Sequence, residues 1–344
     1  MTKNILFYAQ GGGLGHLQRS MNMINVLQLF SNDDVIYQVF VASSSIYLNN
    51  YLSNYIAEIA ISNPKLQNKS QDKLQHIKPL LIPQNFENDL KNDLKHGLEN
   101  YQKWLVKQIN DLNIGEIYLD VFPCGLVGEW NNITKLLVNF SEIKFYSISR
   151  HLKWQNYKQL ITKPLFFETS FVVETLESEH LAFITQHSKS VKTLKLVPFQ
   201  YNLQQNSSQN NLKTNLKNDL ETPFWLVIHS EPLRELLTLL EYTLEKRFIQ
   251  KSNSKIIIIS QISKDKFIEF LQEISNIIQI DLNCIEIINT FDTQNLIIDA
   301  EKIISACGFN VMQECENFSD KHEYIPFERR YDDQFWRASQ RKKV

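Results

Sequence analysis

Short runs of consecutive apolar residues alternate along the chain with longer stretches in which apolar residues recur every three or four positions. The runs predict buried strands of a parallel sheet, and the stretches predict amphipathic helices. In the first part of the chain, we expect strands at residues 5–9, 35–42, 80–82, 117–120, 145–149, 171–174 and 194–199. We expect helices after residues 13 and 46 and at residues 86–112 and 178–186. This order predicts βαβ units.

The second part of the chain repeats the alternation. We expect strands at residues 224–228, 256–259, 285–288 and 302–305, and helices at residues 233–248, 267–278 and 295–300. Residues 201–222 between the two parts are mostly Asn, Gln, Ser and Lys, which predicts a linker or a long surface loop. The sequence therefore predicts an α/β protein with two parallel sheets, one in an N-terminal domain at residues 1–200 and one in a C-terminal domain at residues 223–344.

Composition and charge narrow the class of protein. A chain of 344 residues, 43% of them hydrophobic, is long enough for two domains with cores of their own. A formal net charge of -2 and the lack of an arginine-rich patch argue against nucleic acid as a partner. The first residues predict a strand rather than a signal peptide, and no apolar run reaches the roughly 18 residues of a membrane span. We therefore expect a cytoplasmic protein; the basic residues 341–343 are too few to decide whether it contacts the inner face of a membrane.

A glycine-rich segment follows the first expected strand and opens the first helix: Q-G-G-G-L-G-H-L-Q-R, residues 10–19. Because free amides at a helix N-terminus favour anions, we expect Gly12, Gly13 and Gly15 to line a phosphate or acceptor loop. The spacing matches neither the G-x-G-x-x-G dinucleotide fingerprint nor a Walker loop. His16 and Arg19 share one helix face, which makes His16 a candidate catalytic base beside a fixed cation. The alternative is that His16 only caps the helix or packs against the loop.

Polar residues follow two later strands as well. The segment D-V-F-P-C-G-L-V-G-E, residues 120–129, begins where open α/β sheets bind ligands, so Asp120 and Glu129 are candidate catalytic carboxylates. The alternative is that the segment only shapes a turn and that Glu129 lies on a helix surface. Arg150 and His151, with Lys153 and Trp154, could clamp an anionic acceptor, although solvated surface charge is the default interpretation of such a cluster.

Gly308 lies between an expected strand and a helix and predicts a second anion site, together with its neighbours Phe309 and Asn310. Glu314 lies further along the same helix, roughly 9 Å from its start at 1.5 Å per residue, which is about the step from a pyrophosphate to its ribose. A carboxylate there can accept hydrogen bonds from two sugar hydroxyls. The alternative for Glu314 is a solvated acid on a helix surface.

Asp333 and Gln334 begin a further expected helix and offer acceptors and donors that suit sugar hydroxyls. The chain contains no D-x-D triplet, so no pair of carboxylates is expected to hold a metal on a diphosphate. Its four cysteines lie without C-x-x-C spacing. We therefore expect no metal site and four buried thiols.

The two-domain plan, the G-G-G-L-G-H loop and the C-terminal segments G-F-N-V-M-Q-E and I-P-F-E-R-R-Y-D-D-Q-F-W resemble the GT-B glycosyltransferases, particularly the family 28 group that includes the MurG-type N-acetylglucosaminyltransferases. The resemblance implies two Rossmann-like domains with a ligand cleft between them. It implies that Glu314 binds the ribose of a UDP-sugar, that Asp333 and Gln334 bind the donor sugar, and that the loop with His16 faces the acceptor. Residues 120–129 also resemble a D-x-F-P-x-G-x-x-G-E segment of uncharacterised proteins predicted to be glycosyltransferases.

The sequence departs from this group in two places. The turn after the first strand of the C-terminal domain is I-H-S-E-P, residues 228–232, where the group usually has glycines. Contact with a diphosphate is then expected from Ser230, from nearby amides and from the helix at Gly308, with Arg329 as a cation. The chain ends soon after Trp336, so we expect the last helix to be short or absent.

Together these features predict an inverting, metal-independent glycosyltransferase that needs no cofactor besides its nucleotide-sugar co-substrate. The donor is expected to be UDP-linked, such as UDP-N-acetylglucosamine, and the acceptor is a hydroxyl of a glycan, a lipid-linked molecule or a small molecule. His16, or else Asp120 or Glu129, would take the proton of that hydroxyl. Two alternatives stay open: a nucleotide-sugar hydrolase or epimerase of the same fold, and a non-catalytic nucleotide-sugar-binding protein, which the glycine-free turn favours.

Overall fold

The computed structural model describes residues 2–11, 14–27, 35–62, 76–83, 86, 93–137, 140–196, 223–230, 232–275, 282–290 and 293–341. The predicted linker at residues 201–222 lies outside this set. The chain divides into two compact units, of which the first is Met1–Phe199 with Arg330–Asp333 and the second is Gln200–Arg329 with Gln334–Val344. A four-residue segment from near the C-terminus thus belongs to the first unit.

The described strands of the first unit form a seven-stranded parallel sheet in the order β3-β2-β1-β4-β5-β6-β7. These strands are β1 (Thr2–Tyr8), β2 (Ile36–Ser43), β3 (Ile77–Leu81), β4 (Glu116–Asp120), β5 (Lys144–Ser149), β6 (Thr169–Val172) and β7 (Val191–Thr193). The helices between them are α1 (Leu14–Val26), α2 (Leu48–Ser62), α3 (Leu94–Asp111), α4 (Trp154–Tyr157) and α5 (Ser178–Gln186). The chain runs outward from β1 to β3 and returns on the other side at β4. A crevice therefore opens at the carboxyl ends of β1 and β4, where sheets of this kind bind ligands.

The long helix α3 shows why the elements form where they do. Tyr101, Leu105 and Ile109 recur at four-residue steps and are all buried against the sheet. The helix begins at Leu94, later than the predicted residue 86, because the Asp93 side chain accepts hydrogen bonds from the amides of residues 95 and 96. Residues 87–92 of the predicted helix lie outside the described residues.

The described strands of the second unit form a five-stranded parallel sheet in the order β10-β9-β8-β11-β12. These strands are β8 (Phe224–Ile228), β9 (Lys255–Ile259), β10 (Ile285–Ile288), β11 (Lys302–Ala306) and β12 (His322–Ile325). The helices are α6 (Leu233–Ile249), α7 (Lys264–Ser275), α8 (Gln294–Asp299), α9 (Phe309–Glu314) and α10 (Gln334–Arg341). Each face of the sheet carries its own apolar cluster. Here the reversal of strand order lies between β8 and β11, so the second crevice opens at their carboxyl ends.

One predicted strand lies elsewhere. The apolar residues 194–199 predict a strand, but residues 194–196 are not in one and residues 197–199 lie outside the described residues; the structure forms β7 at Val191–Thr193, where all three side chains are exposed. This edge strand is held by main-chain hydrogen bonds to β6, so its position cannot be predicted from a run of apolar residues. Cysteine burial is as expected for Cys124, Cys307 and Cys315, whereas Cys284 is half-buried.

Candidate functional site

The polar centre of the first unit lies at the carboxyl ends of β1 and β4. His16 is in the first turn of α1, which follows the glycine-rich turn after β1, and Asp120 is the last residue of β4. Because β1 and β4 are neighbouring parallel strands, the two side chains meet at one edge of the sheet. The structure thus brings together two of the three predicted catalytic residues.

A short hydrogen bond joins these two residues, since His16 Nδ1 lies 2.6 Å from Asp120 Oδ2. The Arg19 guanidinium holds the same carboxylate from the other side, with Nε 3.0 Å from Oδ1 and Nη2 2.9 Å from Oδ2. The Asp120 and Arg19 side chains are only 1% and 4% exposed, while that of His16 is 14% exposed. The carboxylate is therefore fixed by two partners, and the imidazole is the member of the group that a ligand can reach.

The charges of this group define the tautomer of His16. Burial alone would raise the pKa of Asp120, but the Arg19 guanidinium and the His16 imidazole lower it to about 2. Burial lowers the pKa of His16, and the charge of Arg19 lowers it further against the opposing effect of Asp120. An ionised carboxylate only accepts, so a neutral His16 donates from Nδ1 and keeps its lone pair on Nε2.

Gly11 lies directly beside Nε2. A Cβ atom added to Gly11 would lie 2.4 Å from His16 Nε2 and 2.3 Å from Cδ2, so only glycine leaves room for the imidazole. The Phe122 ring lies beside His16 with a centroid distance of 5.8 Å. Among the described residues, Nε2 has no hydrogen-bond partner. In this tautomer the lone pair of Nε2 is therefore not used by a hydrogen bond within the described part of the chain.

The backbone is strained next to Asp120. Val121 has a φ of 69°, which is rare for a β-branched residue, and the Phe122 amide donates to the Asp120 carbonyl at 2.9 Å. Strain of this kind costs about 1–3 kcal/mol and persists where the surrounding structure imposes it, often at functional sites. Here it turns the chain sharply at the residue that orients His16.

Glu129, the third predicted catalytic residue, lies apart from this group. Its carboxylate is fully buried and accepts hydrogen bonds from the Tyr8 hydroxyl at 2.7 Å and from the amides of Leu126 and Val127 at 3.1 and 2.9 Å. Burial raises the pKa of Glu129. Gly125, with a φ of 88°, leaves the room that the carboxylate occupies. The contacts of Glu129 fasten the 120–129 turn to the sheet.

Arg150, which the sequence predicts either as an anion clamp or as solvated surface charge, lies at the same edge of the sheet as His16. Arg150 follows β5, is 6% exposed and forms an ion pair with Asp332. Solvated surface charge is thus the wrong interpretation of Arg150. The sequence indicates only that Arg150 follows a strand. It cannot indicate the ion pair, because Asp332 lies 182 residues away.

The remaining predicted residues of the N-terminal loop divide into two groups. Gly15 lies in the first turn of α1, next to His16. Gly12 and Gly13 lie outside the described residues. The predicted acceptor or phosphate loop therefore stays a prediction.

In the second unit, the predicted ribose-binding residue lies at the end of a helix. Glu314 is the last residue of α9, and its Oε2 accepts a hydrogen bond from Thr293 Oγ1 at 2.9 Å. Gly308 is the N-cap residue of α9, Phe309 is buried, and Asn310 is half-buried. Thr293 was not predicted, because only the fold brings the start of α8 to the end of α9.

An ion pair from outside the glycine-free turn lies next to the end of β8. Arg329 forms an ion pair with Glu235 in the first turn of α6, and His229 Nε2 lies 3.2 Å from Glu235 Oε2. Ser230 follows His229, and its carbonyl accepts from Ser260 Oγ at 3.2 Å. Arg329 and Ser230 are thus at the carboxyl end of β8, although Glu235 offsets the charge of Arg329.

Asp333 and Gln334 fall into different units, the first and the second respectively. Gln334 is buried at the start of α10, and its Oε1 accepts a hydrogen bond from the Phe327 amide at 3.0 Å. The last helix is present and is eight residues long. No described helix has the length and the apolar character that a bilayer crossing requires.

The fold is similar to that of several solved structures. S. aureus MnaA, in a co-structure with UDP, has a TM-score of 0.58 at 11% identity, covering 95% of this chain and 79% of its own. UDP-GlcNAc 2-epimerase from Neisseria meningitidis, bound to UDP-GlcNAc, has a TM-score of 0.56 at 10% identity, covering 98% and 85%. UGT73P12 of Glycyrrhiza uralensis, complexed with glycyrrhetinic acid 3-O-monoglucuronide, has a TM-score of 0.55 at 13% identity, covering 100% and 80%. Neither a protein-family model nor a curated protein matches the sequence.

The chain has the GT-B glycosyltransferase fold, with two parallel α/β sheets. Identities of 10–13% show the fold alone, so the resemblance to family 28 stays a prediction. Function has to be argued from the residues of the two crevices.

Proposed function

We propose that this protein transfers a sugar from a nucleotide-sugar, UDP-linked like UDP-N-acetylglucosamine, to a hydroxyl acceptor, with inversion and without a metal. The observation that carries the proposal is the His16–Asp120 pair, in which a neutral imidazole is oriented by an ionised, doubly held carboxylate. This is the arrangement of a general base with its orienting group.

In the proposed reaction, His16 Nε2 takes the proton of the acceptor hydroxyl as its oxygen bonds to the anomeric carbon. The bond from that carbon to the nucleotide diphosphate breaks in the same step, on the opposite face of the sugar, which inverts its configuration. Asp120 stabilises the imidazolium that forms and keeps Nδ1 protonated. Arg19 holds Asp120 in place.

The donor is assigned to the second unit. The Glu314 carboxylate, held by Thr293, would accept hydrogen bonds from the ribose hydroxyls, and the amides at Gly308 would face the diphosphate. UDP as the nucleotide is supported by two structures of the same fold, MnaA with UDP and the Neisseria meningitidis epimerase with UDP-GlcNAc.

The test combines binding and turnover. Purified protein is screened for thermal shifts with UDP, GDP, dTDP, CMP and their sugars, without metal, and then for sugar transfer to a panel of acceptors. We expect Glu314→Gln to lose the UDP-dependent shift, while Glu241→Gln, at an exposed acid of the same unit, keeps it. We expect His16→Gln to abolish transfer and Asp120→Asn to slow it by about two to four orders of magnitude, both with donor binding retained. Full turnover in His16→Gln would contradict the proposal.

A second candidate is hydrolysis or epimerisation of the nucleotide-sugar, because one structure of the same fold is a UDP-GlcNAc 2-epimerase. Incubation of the donor without acceptor separates the reactions. Free sugar or an isomerised donor would favour this second candidate. A donor-dependent thermal shift with no product under any condition would favour a non-catalytic binding protein.

A further inference from the structure

Arg150 lies at the same edge of the sheet as the His16 group, after the neighbouring strand β5. β5 pairs with β4 so that Ile148 lies opposite Asp120, which places Arg150 two residues beyond, at the same edge of the sheet. Its side chain is 7% exposed, and its Nη1 pairs with Asp332 Oδ1, whose side chain is 17% exposed. A buried cation with a half-buried counter-ion therefore lies at the sheet edge that carries the candidate base.

Asp332 is held in place by its neighbours and not only by Arg150. The Tyr331 carbonyl accepts a hydrogen bond from the Lys153 amide at 2.7 Å. The Tyr331 ring packs edge-on against Tyr157 and Phe122, with centroid distances of 5.5 and 5.8 Å. Removing the charge of Asp332 would therefore leave residues Arg330–Asp333 packed against the rest of the first unit.

Within the described residues, the charges that act on His16 come from three elements. Asp120 on β4 accepts from its ring, Arg19 lies on its own helix, and Arg150 follows β5. Burial is the largest cause of the lowered pKa of His16, followed by Arg19, and Arg150 also lowers it. Asp120 already pairs with Arg19, so Asp332 is the carboxylate that offsets the charge of Arg150.

We propose that the Arg150–Asp332 ion pair sets how readily His16 takes up a proton, with Asp332 as a positioning and charge-balancing residue that touches neither substrate nor base. The inference rests on the proposed function of His16 as the base. Without Asp332, the full charge of Arg150 acts on the imidazole and opposes its protonation. Without Arg150, the charge of Asp332 remains and favours protonation.

The two charges therefore have opposite effects, and NMR titration of the His16 imidazole in the full-length protein measures them directly. We expect Asp332→Asn to lower the midpoint of the titration and Arg150→Met to raise it, each by about half a pH unit or more. The double variant Arg150→Met/Asp332→Asn carries neither charge and is expected to return toward the wild-type midpoint. Arg330→Gln is the matched control, since that guanidinium lies over the Tyr331 ring at 4.9 Å and is expected to leave the midpoint unchanged.

Shifts in the same direction in both single variants, or no shift in either, would overturn the inference. If one single variant unfolds, the other still decides the inference, because the direction of its shift is expected to be down for Asp332→Asn and up for Arg150→Met; Asp332→Glu, which keeps the charge, is expected near the wild-type midpoint. The acid limb of the transfer rate against pH is measured in parallel. Midpoints that move as expected while the rate profile stays fixed would support the inference and contradict His16 as the base, so the two proposals fail separately.

Discussion

The position of the His16 imidazole depends on the absence of a side chain at Gly11. A Cβ atom there would come within 2.3–2.4 Å of the ring, which is closer than real contacts allow. We expect Gly11→Ala to push the imidazole away from its position on Asp120 and to lower the rate of transfer by about tenfold to a hundredfold. The measurement is turnover, together with the NMR shifts of the His16 ring.

Gly115→Ala is the matched control for this substitution. A Cβ atom added to Gly115 meets nothing within 4 Å, so the same change of residue is expected to leave both turnover and the His16 shifts unaltered. An unchanged His16 ring in Gly11→Ala would show that the loop adjusts and that Gly11 is not required.

Individual residues could be predicted where the signal is local. His16 and Arg19 are three positions apart on one helix, and Asp120 ends an apolar run, so their meeting follows from helix period and strand order. The burial of Glu129 could not be predicted in this way, because its partner Tyr8 comes from another strand, 121 residues away. For Arg150, the sequence could not decide between an anion clamp and solvated surface charge for the same reason, since its counter-ion Asp332 is 182 residues away.

The end of α6 provides a test at the level of an element. The Ser252 amide donates to the Arg247 carbonyl at 3.0 Å and the Lys251 amide to the Phe248 carbonyl, which closes the helix with Lys251 in the left-handed region at a φ of 51°. We expect Lys251→Gly to stabilise the second unit by about 1 kcal/mol, because glycine adopts this conformation without the Cβ penalty. Urea unfolding, followed by hydrogen exchange of β8 and β9 amides, measures the change.

Lys251→Ala separates backbone conformation from charge. It removes the same ammonium but keeps a Cβ atom, so it is expected to give no gain in the free energy of unfolding. Equal stabilisation by alanine and glycine would mean that the lysine charge, and not the φ angle, destabilises this helix end.

Elements were predicted best where burial and pattern agree. β8 has the bounds that the sequence predicts because its apolar residues are buried in the sheet, and α5 and the half-buried edge strand β10 also have their predicted bounds. β7 was misplaced, since an exposed edge strand is selected by main-chain pairing. α9 and the start of α10 follow glycine and Asp-Gln signals, which mark helix starts without indicating what binds there.

For the whole molecule, the alternation of elements was sufficient to predict two parallel α/β sheets, and the motifs at the two ends of the chain pointed to the GT-B fold. The comparisons confirm that fold. The donor, the acceptor and the role of each site residue are not encoded in this pattern, because one fold serves transfer and epimerisation alike. Those assignments depend on side chains that only the folded units bring together, such as Thr293 with Glu314.

The buried histidines reduce the stability of the folded protein in acid. His180 on α5 is fully buried and stacks on Trp154 at 4.1 Å, and neither ring nitrogen has a hydrogen-bond partner among the described residues. Burial, with a contribution from the charge of His151, lowers the pKa of His180 to about 3. An unfolded histidine has a pKa of about 6.5, so the unfolded chain binds the extra proton between these values and stability falls as the pH drops below about 6.5. Between pH 7.5 and 5 this linkage costs the first unit about 2 kcal/mol.

His180→Phe removes the titration and keeps a ring against Trp154, so the first unit of the variant is expected to lose about 2 kcal/mol less than the wild type over this pH interval. Hydrogen exchange of β4 and β5 amides at the two pH values measures the difference, and the pH dependence is informative even if phenylalanine packs differently. His96→Gln, at an exposed histidine, is the control and is expected to leave the pH dependence of stability unchanged.

Because burial and the charge of Arg341 lower the pKa of His322 in the second unit to about 3 as well, β8 and β9 should keep their acid sensitivity in His180→Phe. The same pH dependence in the first unit of variant and wild type would show that His180 is protonated in the folded state without cost.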